Sequence, residues 1–129
     1  MAHYNSHNEL EIYKLAREIN KDVWSLIKTT SLGNDYKLRD QINGSSGSIM
    51  DNIAEGFGRG GNKEFINFLS YSRGSCFETE AQLQRAYDRN HISEETFKEI
   101  SVKTQDLSDQ ISKFINYLKS TDRKGSKFD

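Results

Sequence analysis

No proline occurs anywhere in the 129 residues, and that absence argues first against β architecture. An all-β domain of this length spends prolines on turns and edge strands, whereas long helices are easier to build without them. Cysteine is almost missing as well. Cys76 stands alone, so it can neither close an internal disulfide nor build a thiolate cluster for zinc or iron, and a lone thiol fits a reducing compartment. Histidine is limited to His3, His7 and His91. Two precede the first helical pattern and one falls in a connection, so none can supply the Glu-x-x-His pairs with which helical bundles hold two metal ions. Also lacking are an apolar run near the roughly 20 residues of a membrane helix and the basic start and apolar stretch of a secretory signal. Charge of one sign is missing too: 18 basic residues face 19 acidic ones, so bulk electrostatics do not draw the chain to nucleic acid or to an anionic membrane, and any such contact needs a local patch. The expectation is a cytoplasmic protein with no membrane contact, metal or cofactor.

What remains is helical patterning, in a chain long enough for one domain with a single core. From Leu10 onward, Ile12, Leu15, Ala16, Ile19, Val23, Leu26 and Ile27 recur at the three-and-four spacing of one helix face. Ser6 and Glu9 have the form of a capping box, and Gly33 with Asn34 closes the segment. Near the other end Phe97, Ile100, Thr104, Leu107, Ile111, Phe114 and Leu118 form a heptad seam, with Ser93 as cap and Glu94 and Glu95 in the first turn. Between them Phe65, Phe68, Leu69, Ser72, Cys76, Thr79, Leu83 and Ala86 mark a further helix, capped by Asn62. The second segment is harder. Leu38, Ile42, Ile49, Ile53 and Phe57 keep helical spacing while the run from Gly44 to Ser48 interrupts them, and each internal glycine costs about 1 kcal/mol relative to alanine. A loop there would leave two pieces too short to be stable alone, whereas small residues on an unbroken helix let a neighbouring backbone come close. A continuous helix is therefore expected. Helices near 8–30, 35–57, 62–89 and 93–120, a flexible tail over 121–129 that includes Arg123, Lys124 and Lys127, and short links predict an all-α, antiparallel up-down-up-down four-helix bundle in one domain, 1–129.

The motifs that suggest chemistry fail on context. Gly56, Gly58 and Gly61 match the glycine spacing of a dinucleotide-binding turn, but that turn must follow a strand, and here a helix precedes it. Asn62 and Lys63 stand where a phosphate loop needs lysine and a hydroxyl residue. A helix stop and turn is the expected reading. Cys76 falls on an apolar stripe, so it reads as core, and no serine has a base or oxyanion context in sequence. Glu55, Glu78 and Glu80, with Arg59 and Arg73 as partners, read as pairing or exposed residues. No catalytic residue is expected, and no enzyme.

Two surface patterns stand out when the helices are projected at about 100° per residue. Lys14, Arg17, Lys21 and Lys28 cluster opposite the core stripe of the first helix, with acidic residues displaced to the side. Such a row can track phosphates; solvation of an outer face explains it equally simply and more often. The second pattern is apolar and lies off the core seam: Tyr13 and Trp24, Met50 and Phe57, Ile66 and Phe77 widen the stripes of three helices. Subunit association is the favoured explanation, with broad core contacts as the alternative.

The run Ser48, Ile49, Met50, Asp51, Asn52, Ile53, Ala54, Glu55, Gly56, Phe57, Gly58, Arg59, followed by Phe65, Phe68, Leu69, Arg73, Gly74, Ser75, Glu78, Glu80, Gln82 and Leu83, resembles the bacterial four-helix-bundle proteins encoded in 23S ribosomal RNA intervening sequences. The accessory variability determinant of diversity-generating retroelements is similar to the same family. The resemblance spans most of the chain and implies an up-down bundle that assembles into a homopentamer without known catalysis; in the retroelement relatives a positively charged pentamer binds nucleic acid and a reverse transcriptase. The chain departs from the family at Gln41, Ile42, Asn43 and Gly44, where relatives often carry arginine and alanine, and at Met50, where many have proline.

Two function classes follow. One is a non-enzymatic, oligomeric scaffold that binds RNA or a nucleic-acid-processing protein through Lys14, Arg17, Lys21 and Lys28, with Arg59 and Lys63 extending the patch. The other is a protein-interaction or structural module with no affinity for nucleic acid, which the near-neutral net charge favours.

Overall fold

Residues 4–122 are described by the computed structural model, and they form four long helices: α1 Glu11–Thr29, α2 Tyr36–Arg59, α3 Asn62–Asp88 and α4 Glu94–Asp122. No strand occurs among the described residues. Of the tail expected from 121 onward, Thr121 and Asp122 still belong to α4, and Arg123, Lys124 and Lys127 lie outside the described residues, as does His3. Each helix packs on the one before it, α2 against α3 most closely, and α4 returns to α1 to close a ring. Rising numbers on one helix meet falling numbers on the next: Gln41 accepts from Arg85, Ser45 meets Thr79, and the Ile49 carbonyl accepts from Ser72. Neighbours are thus antiparallel, and the up-down-up-down bundle is what the periodicity requires.

The core positions follow the expected stripes. Ile12, Ala16, Ile19, Val23, Leu26 and Ile27 of α1 are buried, while Leu15 is only half-buried. Leu38, Ile42, Ile49 and Ile53 of α2 are fully buried on either side of the glycine–serine run, and α2 passes through that run without a break. Burial of such side chains, each contributing roughly 1.5–3 kcal/mol, outweighs the helix-propensity loss of the glycines. The core divides into two apolar clusters, one around Ile19, Ile53, Phe65 and Leu107, the other around Val23, Leu38, Leu83 and Ile100. Between them lies a polar layer. Ser45 Oγ is 2.9 Å from Thr79 Oγ1, Asn20 Nδ2 donates to Ser46 Oγ at 3.1 Å, and Thr104 Oγ1 donates to the Ser101 carbonyl at 2.8 Å. The Ser45–Thr79 and Asn20–Ser46 bonds run between helices and fix their register, because a slip would leave these groups without partners, whereas Thr104 is satisfied within its own helix.

Three local expectations are corrected. Ser6 caps not α1 but a short 3-10 turn, His7–Glu9, accepting from the Asn8 amide at 3.2 Å; α1 begins two residues later, with Leu10 as an N-cap that offers no side-chain bond. Gly33 and Asn34 sit within a second 3-10 turn, Ser31–Asn34, that links α1 to α2. Asn62 is the first residue of α3 rather than its cap; its amide donates to the Leu118 carbonyl at 3.1 Å and to Thr121 Oγ1 at 2.9 Å, tying the start of α3 to the end of α4. Ser93 does cap α4, accepting from the Thr96 amide at 3.1 Å. The glycine pattern resolves into helix and turn: Gly56 and Gly58 lie inside α2, Gly60 ends it with φ 87° and Gly61 precedes α3. That positive φ is a left-handed stop of the kind glycine takes without strain.

Candidate functional site

The outer face of α1 exists because α1 buries one stripe against α2 and α4 and leaves the opposite side to water. Lys14, Arg17, Lys21 and Lys28 are all exposed there, and Trp24 stands among them with 52% of its surface open. Two shallow hollows run along the row. One, of about 230 Å³, is lined by Asn8, Tyr13, Lys14, Arg17, Glu18 and Lys21; the other, of about 450 Å³, by Asn20, Lys21, Trp24, Ser25, Lys28 and Thr29. Lys21 borders both.

Two acids of α1 that flank this row are bridged to α4. Lys103 of α4 reaches back to Glu18 at 3.0 Å and to Asp22 at 2.7 Å. The Asp22 bond holds the Lys103 ammonium above its ordinary pKa against the opposing effect of burial. Glu11 pairs with Lys14 at 2.9 Å, both largely exposed, a pair of the kind that contributes at most about 1 kcal/mol and gives way easily to a competing anion. The result on α1 is an outer face on which cations outnumber acids, with Glu18 and Asp22 neutralised from α4 and Glu18 still on the rim of the first hollow.

Arg59 and Lys63 do not join this row. Arg59, at the end of α2, pairs with Glu55 at 3.0 Å and lies over the Phe68 ring of α3 at 5.1 Å, so it leans toward a helix on which α1 does not pack. Lys63 is exposed in the first turn of α3. The six apolar candidates divide as well. Tyr13, Met50, Phe57 and Ile66 are half-buried and pack against the core, as broad core contacts would have it; Phe57 meets Phe65 edge-on, with ring centroids 6.1 Å apart. Trp24 and Phe77 are open, Phe77 at 59%. Tyr36, Tyr71 and Val102 are also exposed. They escaped the sequence reading because each is a single apolar residue outside any stripe.

One constellation invisible in sequence joins the two links at one end of the bundle. His91 Nε2 donates to Asp35 Oδ2 at 3.0 Å, and its Nδ1 lies 2.7 Å from Ser31 Oγ. With Nε2 donating, the neutral ring accepts the serine hydroxyl at Nδ1. A serine, histidine and aspartate in line suggest a nucleophile and its base. The surroundings argue for a clamp instead. Arg89 Nη1 donates to the same carboxylate oxygen at 2.8 Å, so the aspartate is already matched by a guanidinium. The neighbouring amides that could steady an oxyanion are engaged: Leu32 N donates to Thr30 Oγ1 and Gly33 N to the Thr30 carbonyl. The Arg89 bond first, and the His91 bond second, pull the Asp35 carboxyl down to about 2.

Other reactive groups are likewise occupied or buried. Cys76 is 2% exposed, and burial, with the nearby Glu80 charge, pushes its thiol up to about 12, so it stays protonated and unreactive. Glu80 accepts from Gln105, and Arg73 donates to Ser112 at 2.9 Å rather than to a carboxylate. Among the described residues no group of three potential ligands is placed to hold a metal ion, and no helix is long and apolar enough to cross a membrane. A groove of about 470 Å³ between the N-terminal segment and α4 is lined by Tyr4, Ile12, Phe114 and Tyr117, with Glu11, Gln110 and Lys113 among its polar residues.

Comparison with known proteins places this arrangement. The family model described as 23S rRNA-intervening sequence protein matches residues 8–113. A crystal structure of a protein with unknown function from the S23 ribosomal protein family of Bacteroides thetaiotaomicron matches with a TM-score of 0.73 at 24% identity, covering 81% of this chain and 97% of its own. At that identity the likeness speaks for the fold. No curated protein matches.

Proposed function

The chain belongs to the 23S rRNA-intervening sequence protein family, and from that membership and the charge distribution on α1 we propose that it works without catalysis, binding RNA along the outer face of α1. The observation that carries the reading is the segregation of charge: four cations line one exposed face while Glu18 and Asp22 of the same helix are held by Lys103. A local field of this kind attracts phosphates whatever the net charge of the molecule. Lys14, Arg17, Lys21 and Lys28 are the phosphate contacts; Arg59 and Lys63, on another face, are secondary. The chain also self-associates in this reading, through the apolar positions that remain open, chiefly Phe77 on α3.

The test is a titration of labelled structured RNA at low and moderate salt. Four phosphate contacts predict a log–log salt slope of about three to four. The double variant Lys21→Glu, Lys28→Glu is expected to lose at least about tenfold in affinity and about two units of that slope while its circular dichroism stays helical. Unchanged affinity in the variant overturns the assignment to α1. A wild-type chain that ignores RNA at low salt, yet holds a protein partner with little salt dependence, establishes the alternative of a protein-interaction module.

A further inference from the structure

We propose that Trp24 is a stacking platform for an unpaired base, so that the α1 face takes single-stranded RNA in preference to duplex. The inference rests on the reading of α1 as an RNA-binding face and goes beyond it, because phosphate contacts alone do not separate the two forms.

Indole is the largest apolar surface a side chain offers and is highly buried on average in folded proteins. Trp24 instead leaves half its surface open on a helix whose core stripe is already filled by Ile19, Val23 and Ile27. Its neighbours along the face are cations. Lys21 lies one turn before it and Lys28 one turn after, and all three line the same hollow. Their backbone positions, seven residues apart, span about 10 Å along the axis, and flexible four-carbon stems let the two ammonium groups reach phosphates on either side of a base resting on the indole. No acidic residue lines the hollow; its rim is completed by Asn20, Ser25 and Thr29.

An aromatic face flanked by cations on a positively charged track is how proteins hold single strands, since every unpaired base presents a π-face. In an A-form duplex the bases are stacked on one another and offer only groove edges, 2′-hydroxyls and phosphates. Trp24 would then have nothing to stack on. The charge complementarity of the hollow favours RNA over a two-fold related copy of the chain as its occupant, since such a copy would bring its own Lys21 and Lys28 against this pair.

Trp24 is the only tryptophan, so intrinsic emission reports on this one side chain. The experiment titrates the full chain at low salt with a fluorescently labelled oligoadenylate and with a labelled RNA duplex of equal length, following both tryptophan emission and label anisotropy. The expected result is quenching by the oligoadenylate, tighter binding of it than of the duplex, and a loss of about 5- to 150-fold in single-strand affinity for Trp24→Ala, largely recovered by Trp24→Tyr, with duplex affinity unchanged. If anisotropy reports binding while emission stays constant and Trp24→Ala binds like the wild type, the stacking role is wrong and the basic face stands. Equal or tighter binding of the duplex overturns the preference. An emission shift that depends on protein concentration in the absence of RNA assigns Trp24 to a contact between copies and overturns the proposal. Failure of both RNAs to bind overturns the RNA reading itself.

Discussion

Asp35 accepts from two side chains of the α3–α4 link, Arg89 and His91, while itself belonging to the α1–α2 link. Its carboxyl titrates near 2 in the fold against 3.8 for the free side chain. A folded pKa below the unfolded one means that the ionised form is favoured by folding, so the contribution is present above the unfolded value of 3.8 and is lost as pH falls through about 2. Asp35→Asn is expected to lower the urea midpoint at pH 7 by a margin that shrinks as pH falls from about 4 to about 2, as followed by circular dichroism; a midpoint difference as large at pH 2 as at pH 7 would show that the carboxylate charge is not what holds the clamp. This site was not legible beforehand. His91 could be placed in a connection, but Ser31 and Asp35 are brought to it only when the two links meet at the same end of the ring. Cys76 was legible, because its place on a stripe of apolar spacing is the same information as its burial.

At the scale of the element, α2 separates two kinds of glycine. A β-carbon at Gly56 would come within 2.7 Å of Phe68 Cβ and 2.9 Å of Phe65 Cδ1, whereas at Gly44 it would meet nothing within 4 Å. Gly56→Ala is therefore expected to destabilise by about 1–3 kcal/mol through overpacking, and Gly44→Ala to stabilise by about 0.5–1 kcal/mol through helix propensity; urea unfolding of the two variants measures both. Stabilisation by Gly56→Ala would mean that α2 and α3 are not in contact there. The small residues of the run from Gly44 to Ser48 were expected to mark a close backbone approach, and only part of that holds. Ser45 and Ser46 face inward and make the polar layer, Gly44 faces water, and among the α2 glycines the closest approach falls at Gly56 instead. Apolar spacing tells which side of a helix is buried; it does not say how near the next helix comes, which depends on the side chains that the neighbour presents.

For the molecule as a whole, helix number, order and antiparallel pairing were readable because three short links leave sequential helices little choice but to pack side by side. The candidate surface was readable only in part. Periodicity placed Lys14, Arg17, Lys21 and Lys28 on one face correctly, but it could not reveal that Arg59 would turn to Glu55 and Phe68, or that four of the six apolar flank residues would lean into the core. Self-association accordingly rests on fewer residues than the pattern suggested. Light scattering is expected to give several times the monomer mass for the wild type, five times for the pentamer that the family resemblance implies, and a shift toward the monomer for Phe77→Glu with helical content retained. A wild-type monomer would remove assembly from the proposed function.

Lys103 gives that surface a dependence on completed folding. Three of the four helix contacts join segments that follow each other in sequence and close small loops, while the pairing of α4 with α1 joins the two ends of the chain, the contact with the largest entropic cost of closure. The charge pattern of α1 is set across that seam. In a chain whose last helix has not yet docked, Glu18 and Asp22 remain unpaired beside Lys14, Arg17, Lys21 and Lys28, and the face lacks the positive charge that Lys103 brings to its acids. Under the proposed RNA-binding role, a nascent or partly unfolded copy is the weaker ligand for phosphates, and affinity for RNA becomes a certificate that the ring has closed.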